Sequence, residues 1–118
     1  MNQTESEPIS PYQAFQAVEM RVGRVLRVEL NQRANKPAYK LWIDFGPELG
    51  TKTSSAQLVA NYKVEDLEGR LVVCATNLGT RNIAGFTSEV LTMGMDDENG
   101  NVVLLQPASE VPLGSRIY

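Results

Sequence analysis

The sequence has 118 residues, a net charge of −3 and a pI of about 4.9, which together indicate a single acidic domain. Because it contains no histidine, it lacks the commonest general base and metal ligand, so we predict no catalytic residue, no metal site and no cofactor. No apolar stretch is long enough to span a membrane, so we expect no membrane insertion. The single cysteine cannot form an internal disulfide, which suits the reducing cytoplasm.

The first residues of the chain are polar, so we predict a flexible N-terminal arm over residues 1–10 and a domain over residues 11–118. Ser10 is a suitable N-cap and Pro11 a suitable first residue for a helix over residues 11–18. This helix carries an apolar stripe that either closes one end of the sheet or contacts a second subunit, formed by Tyr12, Phe15 and Val18.

The first strand is predicted over residues 20–30, where apolar and polar residues alternate. Gly23 interrupts the strand and suits a β-bulge or tight curvature. Strict alternation places Val25 on the outward face with the charged residues. The inward face then consists of Met20, Val22, Leu26, Val28 and Leu30. A loop over residues 31–38 follows, because its composition is polar and includes proline.

A second strand is predicted over residues 40–46, with Leu41, Ile43 and Phe45 facing inward and Trp42 facing outward. An outward tryptophan needs a partner, and three alternatives are open. It could contact a second subunit, provide a platform on which a base stacks, or pack beneath a neighbouring loop.

Further strands are predicted over residues 53–59, 70–77, 87–95 and 101–105, with one helical turn over residues 64–69. The strand over residues 70–77 is an apolar run that includes Cys74, the single cysteine, so we predict a buried thiol. Asn99 and Gly100 mark a hairpin turn. Five or six short strands with little helix favour an all-β fold built as a small closed barrel.

Three polar residues follow the central strand at its exposed end. Asn77 ends the strand, Arg81 comes four positions later, and Ser88 opens the next strand. We therefore expect Asn77, Arg81 and Ser88 to lie at one rim of the sheet. These side chains donate and accept hydrogen bonds, which suits the binding of a polar ligand and not its cleavage.

Charge is distributed unevenly along the sequence. Between residues 21 and 40, Glu29 is the only acid, whereas the bases are Arg21, Arg24, Arg27, Arg33, Lys36 and Lys40. A local basic face can bind phosphates on an acidic protein, because salt screens charges that lie beyond about 10 Å. Both an RNA-binding face and an ordinary solvated strand face remain open as explanations.

Several segments form a recognisable set. They are FQAVEMRVGRV at 15–25, KPAYKLWIDFG at 36–46, SSAQ at 54–57, Asn77, Arg81 and IAGFTSEVL at 83–91. Together they resemble the CsaA family, which belongs to the wider tRNA-binding domain group. The resemblance implies an OB-fold five-stranded barrel with a short N-terminal helix and added terminal segments. It further implies a non-enzymatic homodimer that binds tRNA by its structure and not by its base sequence.

The resemblance also implies the RNA-binding positions, which are Arg21, Lys36, Lys40, Ser55, Gln57, Asn77, Arg81 and Ser88. The basic side chains would contact phosphates, and the others would hydrogen-bond sugars or phosphates. Glu89 would repel phosphate if its carboxylate faced the RNA. The alternative function that the resemblance implies is an export-related chaperone of unfolded or precursor polypeptides. Its site would be an apolar groove, within one subunit or between two, lined by residues such as Trp42, Phe86 and Met93.

Overall fold

The computed structural model of the protein describes residues 8–118, so residues 1–7 of the predicted arm lie outside the described part. Helix α1 (Pro11–Ala17) begins as predicted, with Pro11 in its first turn. The Ser10 hydroxyl accepts a hydrogen bond from the Gln13 backbone at 3.1 Å, and the Gln13 side chain accepts one from the Ser10 backbone at 2.8 Å. This reciprocal pair is a capping box, which fixes the start of the helix.

The rest of the described chain forms short strands and one further helix. In order they are β1 (Met20–Leu30), β2 (Tyr39–Asp44), β3 (Thr51–Ala56), α2 (Val64–Leu67), β4 (Leu71–Ala75), β5 (Arg81–Ile83), β6 (Phe86–Ser88), β7 (Leu91–Thr92), β8 (Gly94–Asp96) and β9 (Val102–Leu104). Within residues 8–118, neither helix is long and apolar enough to cross a membrane.

The five-stranded sheet has the order β3-β2-β1-β4-β7, and every neighbouring pair is antiparallel. Its two edge strands approach each other, because the Thr92 hydroxyl on β7 donates a hydrogen bond to the Ser54 hydroxyl on β3 at 2.8 Å. The result is a nearly closed barrel with α2 between β3 and β4. The prediction of an all-β, OB-type five-stranded barrel with a short N-terminal helix is confirmed.

The interior of the barrel follows from the alternation on β2. Leu41, Ile43 and Phe45 are buried, as predicted, and Trp42 lies on the opposite face. Cys74 on β4 is also buried, and burial raises the pKa of its thiol to about 12. The prediction of a buried cysteine is therefore confirmed.

The prediction for the face pattern of β1 is wrong at its centre. The register between β1 and β2 shifts between Val25 and Arg27, so the bulge lies at Leu26 and not at Gly23. The extra residue turns Val25 into the core and leaves Leu26 exposed. Leu30, also predicted to face inward, is exposed at the end of the strand. Gly23 serves a different purpose, because an added Cβ would lie 2.5 Å from the Ile43 side chain where the barrel curves.

The strand predicted over residues 87–95 is in fact three strands, because its parts pair with three different partners. β6 pairs with β5, β7 pairs with β4, and β8 pairs with β9. The chain turns after β6, where the backbone amides of Glu89 and Val90 both donate to the Thr53 carbonyl. The strand predicted over residues 53–59 ends early, at Ala56, because the Leu58 amide turns back to the Ala56 carbonyl. The hairpin turn predicted at Asn99 and Gly100 joins β8 to β9.

Helix α1 does not close one end of the sheet. None of its residues is buried, and the rings of Tyr12 and Phe15 are exposed. Only Val18, just after the helix, packs against a small second cluster formed by Met20, Val22, Val73 and Ala75. The apolar stripe therefore faces outward.

Candidate nucleic-acid interface

A cleft of about 650 Å³ lies between the β1–β2 loop (residues 31–38), β3 and the β5–β6 hairpin (residues 81–88). We call it the basic cleft, and the side chains that give it its character are Arg33, Lys36, Ser55, Gln57, Arg81 and Ile83. Three of these are cations, and no aspartate or glutamate of the described chain lines the cleft. Such a surface attracts anions.

Asn31 connects the two loops that border the basic cleft. Its buried side chain accepts a hydrogen bond from the Arg33 backbone at 3.1 Å and donates one to the Ile83 carbonyl at 3.3 Å. The backbone N–H of Asn31 also donates a hydrogen bond to the Ala38 carbonyl at 2.9 Å, which closes the base of the β1–β2 loop. One asparagine thus fixes the β1–β2 loop against the β5–β6 hairpin.

The turn of the β5–β6 hairpin brings Arg33 close to its backbone. Ala84 and Gly85 both have positive φ, 49° and 84°, as a tight two-residue hairpin turn requires. The Asn82 side chain supports the turn by accepting a hydrogen bond from the Gly85 amide at 3.0 Å. The Arg33 guanidinium occupies the space that a Cβ at Gly85 would fill. Glycine at this position therefore allows the arginine to pack on the hairpin.

Side chains on β3 and β6 hold the hairpin against the barrel. The Ser88 hydroxyl accepts from the Ser55 amide at 2.9 Å, and the Thr53 hydroxyl donates to the Thr87 carbonyl at 2.7 Å. The Glu89 carboxylate accepts from both the backbone and the hydroxyl of Thr53, each at 3.0 Å. Glu89 therefore binds β3, and it is not among the residues that line the basic cleft.

Lys40 and the aromatic residues lie beside the basic cleft. Lys40 is the β2 partner of Ser55, and its ammonium lies 5.6 Å from the centre of the Phe86 ring. Phe86 meets Trp42 edge to face at 5.5 Å, and the Arg27 guanidinium lies 4.6 Å from the Trp42 ring centre. Of the three alternatives for Trp42, packing beneath the β5–β6 hairpin is the one that the structure shows.

Within one protomer, Trp42, Phe86 and Met93 do not line a common groove. Met93 packs instead against the second cluster, which includes Met20 and Val73. Trp42 and Phe86 contact each other and two cations. The three residues diverge because residues 87–95, predicted as one strand, bend away after β6.

Four of the eight predicted RNA-binding residues do not line the basic cleft, namely Arg21, Lys40, Asn77 and Ser88. The side chains of Asn77 and Arg21 bind other parts of the chain. The Asn77 amide accepts from the Glu19 backbone at 2.8 Å and donates to the Ala17 carbonyl at 2.9 Å. It therefore fixes the end of α1 to β4. Of the predicted rim, Arg81 and Ser88 are cross-strand partners in the hairpin, whereas Asn77 is engaged with α1.

Arg21 also lies outside the basic cleft, and its side chain is bound within the protein. It forms ion pairs with Glu19 and Glu48, each at 3.1 Å, and donates to the Gly114 carbonyl at 3.0 Å. The hydrogen bond from Arg21 is the largest cause that lowers the pKa of Glu19. Because its donors are used within the protein, Arg21 supports the terminal segments.

The other bases of the predicted basic segment divide into two groups. Arg24 pairs with Glu110 at 2.7 Å, and Arg27 pairs with Glu29. Within residues 8–118, no ion pair is formed by Arg33, Lys36, Lys40 or Arg81. Among the bases between residues 21 and 40, the unpaired ones are those that line or adjoin the basic cleft, and Arg81 joins them there.

Two residues at the site are not among the predicted RNA-binding residues, and these are Arg33 and Asn31. Arg33 belongs to the basic segment, so the charge pattern contains a signal for it. Asn31 carries a weaker signal, since asparagine at a loop start commonly bonds the backbone two residues on. Its contact with Ile83, 52 residues away in sequence, leaves no local pattern.

The sequence and the fold are similar to those of known proteins. Residues 20–116 match the family described as "Putative tRNA binding domain". The chain is 35% identical over 113 residues to the methionine–tRNA ligase of Methanothrix thermoacetophila, which covers 96% of this chain but only 16% of the ligase. The chain thus spans about a sixth of the length of that curated relative.

Two solved structures are similar over nearly their whole length. The crystal structure of the chaperone CsaA from Bacillus anthracis has a TM-score of 0.86 and 43% identity, covering 94% of this chain and 100% of that one. The CsaA chaperone from Picrophilus torridus has a TM-score of 0.85 and 39% identity, covering 93% of this chain and 100% of that one. Together with the family match, these similarities show that the chain belongs to the tRNA-binding domain family.

Proposed function

We propose that this protein is a non-enzymatic tRNA-binding protein whose residues 11–118 act as one domain, and that the basic cleft contacts the RNA backbone. The observation that supports this most directly is the group of unpaired cations, Arg33, Lys36, Lys40 and Arg81. They adjoin strands and loops of the barrel that OB folds use to bind oligonucleotides. Since tRNA functions in the cytoplasm, this proposal includes a cytoplasmic location.

The roles follow from the chemistry of the side chains. The arginines and lysines pair with phosphates, and Ser55 and Gln57 hydrogen-bond sugar or phosphate oxygens from the floor of the basic cleft. Ser88 positions Ser55 through the hydrogen bond that its hydroxyl accepts. Phosphate contacts fix orientation but carry no base information, so recognition depends on the shape of the RNA.

The first experiment is an anisotropy titration of total tRNA at about 50 and about 200 mM salt. Four phosphate contacts predict that affinity falls about 50- to 150-fold between these two concentrations. Arg81→Ala should weaken binding, and Arg24→Ala is the matched control because that arginine is paired with Glu110. Absence of tRNA binding by the wild type at low salt would refute the proposal.

We also propose that the protein is a homodimer that associates through α1 and the C-terminal segment. Tyr12 and Phe15 on α1 and the terminal Tyr118 are exposed, and with Ile117 they border a space of about 550 Å³. A second copy would cover these rings, which a small barrel cannot bury alone. Two basic clefts on one dimer would raise the effective affinity for a large RNA.

Light scattering coupled to size exclusion tests this arrangement. We expect a dimer mass for the wild type and a monomer mass for Phe15→Glu. The control is Leu30→Glu, which places the same charge on an exposed residue of β1 and should leave the dimer intact. A monomeric wild type, or a dimeric Phe15→Glu, would contradict this interface.

A second candidate function is binding of unfolded or precursor polypeptides, since both solved neighbours are described as chaperones. The observation that favours it is the pair of exposed leucines, Leu78 and Leu91, beside the basic cleft. Salt separates the two functions, because apolar binding does not weaken as salt rises whereas phosphate binding does. Peptide binding that is unaffected by salt, without tRNA binding, would favour the chaperone.

A further inference from the structure

We propose that a small apolar pocket beside the basic cleft receives an unpaired nucleobase while the adjoining phosphate lies on the cleft cations. The preferred ligand is then an RNA segment that contains an unstacked nucleotide, and not an uninterrupted duplex. This inference rests on the proposed function, because it adds a base-binding site to the same RNA interface.

The pocket has a volume of about 140 Å³, and we call it the leucine pocket. Its apolar lining is formed by Leu78, Ile83, Val90 and Leu91. Ser55, Ile83 and Arg81 line both the leucine pocket and the basic cleft, so the two spaces share a wall. The two spaces are therefore adjacent, and one ligand can occupy both at the same time.

The two leucines at this pocket are unusually placed for a soluble surface. Leu78 is 56% exposed and Leu91 is 52% exposed. Single exposed leucines are common and need no explanation, but here two lie on one small pocket. Flat apolar surfaces of this kind can cover the face of a base that has left its stack.

Polar groups are available for the edge of the base. The Ser88 hydroxyl is used, because it accepts from the Ser55 amide and donates to the Val90 carbonyl at 3.2 Å. The Ser55 hydroxyl has no hydrogen-bond partner among residues 8–118. It lies at the shared wall, where it can bond either a base edge or a sugar hydroxyl.

The combination of charges and apolar surface fits a nucleotide better than an apolar peptide side chain. A nucleotide carries an anion and a flat π-face, joined by one sugar, and single-stranded RNA binders combine a basic groove with apolar platforms. Arg81 borders both spaces, so its side chain connects the phosphate site in the basic cleft with the base site in the leucine pocket. A peptide would leave the neighbouring cations Arg33 and Lys36 without anionic partners.

The test compares two fluorescent RNAs of equal length, one single-stranded and one fully paired, with wild-type protein and the double variant Leu78→Ser/Leu91→Ser. We expect the double variant to lose about tenfold affinity for the single strand, a typical cost of one base contact, and to change little on the duplex. Leu26→Ser is the control, because Leu26 has the same 52% exposure on β1.

A second readout places 2-aminopurine as the single unpaired base in a hairpin RNA. Its fluorescence should change on binding wild-type protein and remain closer to that of free RNA with the double variant. If wild-type protein binds tRNA and the double variant binds each RNA as tightly as wild type does, the inference is wrong and the proposed function stands. If wild-type protein binds no RNA, both fail. If the double variant loses affinity for an unfolded peptide but keeps its affinity for both RNAs, the inference is wrong and the pocket binds a polypeptide.

Discussion

Two basic regions of this molecule differ in whether their cations are paired. On β1, Arg21, Arg24 and Arg27 all form ion pairs with glutamates. Around the basic cleft, Arg33 and Arg81 form none within the described chain. From this difference we expect phosphate affinity to depend on which cations remain unpaired after folding, and not on how many occur in one stretch.

A second cleft makes the same point. A space of about 540 Å³ is bordered by Arg24 and Arg70, but also by Asp66, Glu68 and Glu110. Its size is close to that of the basic cleft, yet its acids outnumber its bases. We therefore expect RNA at the basic cleft and not at this one.

Neutralising two cations in each region should give the largest difference. Lys36→Gln/Arg81→Gln should weaken tRNA binding about a hundredfold, because two charge-assisted contacts to phosphate are lost. Arg24→Gln/Arg27→Gln makes the same change in net charge and should alter affinity less than about threefold. Anisotropy at low salt measures both. Equal losses would mean that overall charge, and not the cleft, attracts the RNA.

Asn31→Ala should weaken tRNA binding by about three- to tenfold and lower the unfolding free energy by about 1–2 kcal/mol. The reason is that the β1–β2 loop loses its hydrogen bond to Ile83 and the β5–β6 hairpin is no longer fixed to it. Binding titrations and thermal unfolding measure the two effects. Gln32→Ala, an exposed change in the same loop, is the control. Unchanged affinity would show that tRNA binding does not depend on the hydrogen bond between Asn31 and Ile83.

Asn77→Ala should affect stability and not binding. The variant loses two hydrogen bonds to the backbone at the junction of α1 and β1, so we expect unfolding to become easier by about 1–2 kcal/mol. Affinity for tRNA should change less than about twofold at a temperature where the variant is folded. A large loss of affinity with unchanged stability would restore Asn77 as an RNA contact.

The smallest effect concerns acid stability. Because Arg21 lowers the pKa of Glu19 below its ordinary value of 4.5, the unfolded chain binds more protons near that pH. The stabilisation is complete above about pH 4.5 and is lost as pH falls through the lower, folded-state pKa. Denaturant titrations from about pH 6 to about pH 3 should show a steeper loss for wild type than for Arg21→Gln. Parallel curves would contradict the ion pair.

The elements that the sequence predicts well are those with local signals. Alternation identified the inward residues of β2, and Ser10 with Pro11 marked the start of α1. The strand predicted over residues 87–95 was wrong, because its three parts pair with β5, β4 and β9, which local hydrophobicity cannot reveal. The bulge was misplaced for a similar reason, since Gly23 is required by contact with Ile43 and not by the local backbone.

The candidate site was predictable in part. The charge pattern and the resemblance pointed to Lys36, Ser55, Gln57 and Arg81, which the fold brings together. They also pointed to Arg21, whose partner Glu48 is 27 residues away in sequence. Ion pairs between distant segments decide which cations stay available, and a single sequence does not encode those pairs locally.

The salt dependence of tRNA affinity tests the central claim most directly. For wild type, Arg81→Ala and Arg24→Ala, the logarithm of affinity is plotted against the logarithm of salt concentration. We predict that Arg81→Ala makes the slope shallower by about 0.7–0.9, the value for one lost phosphate contact, while Arg24→Ala keeps the wild-type slope. A slope for Arg81→Ala equal to that of wild type, or an equal reduction for Arg24→Ala, would contradict the account.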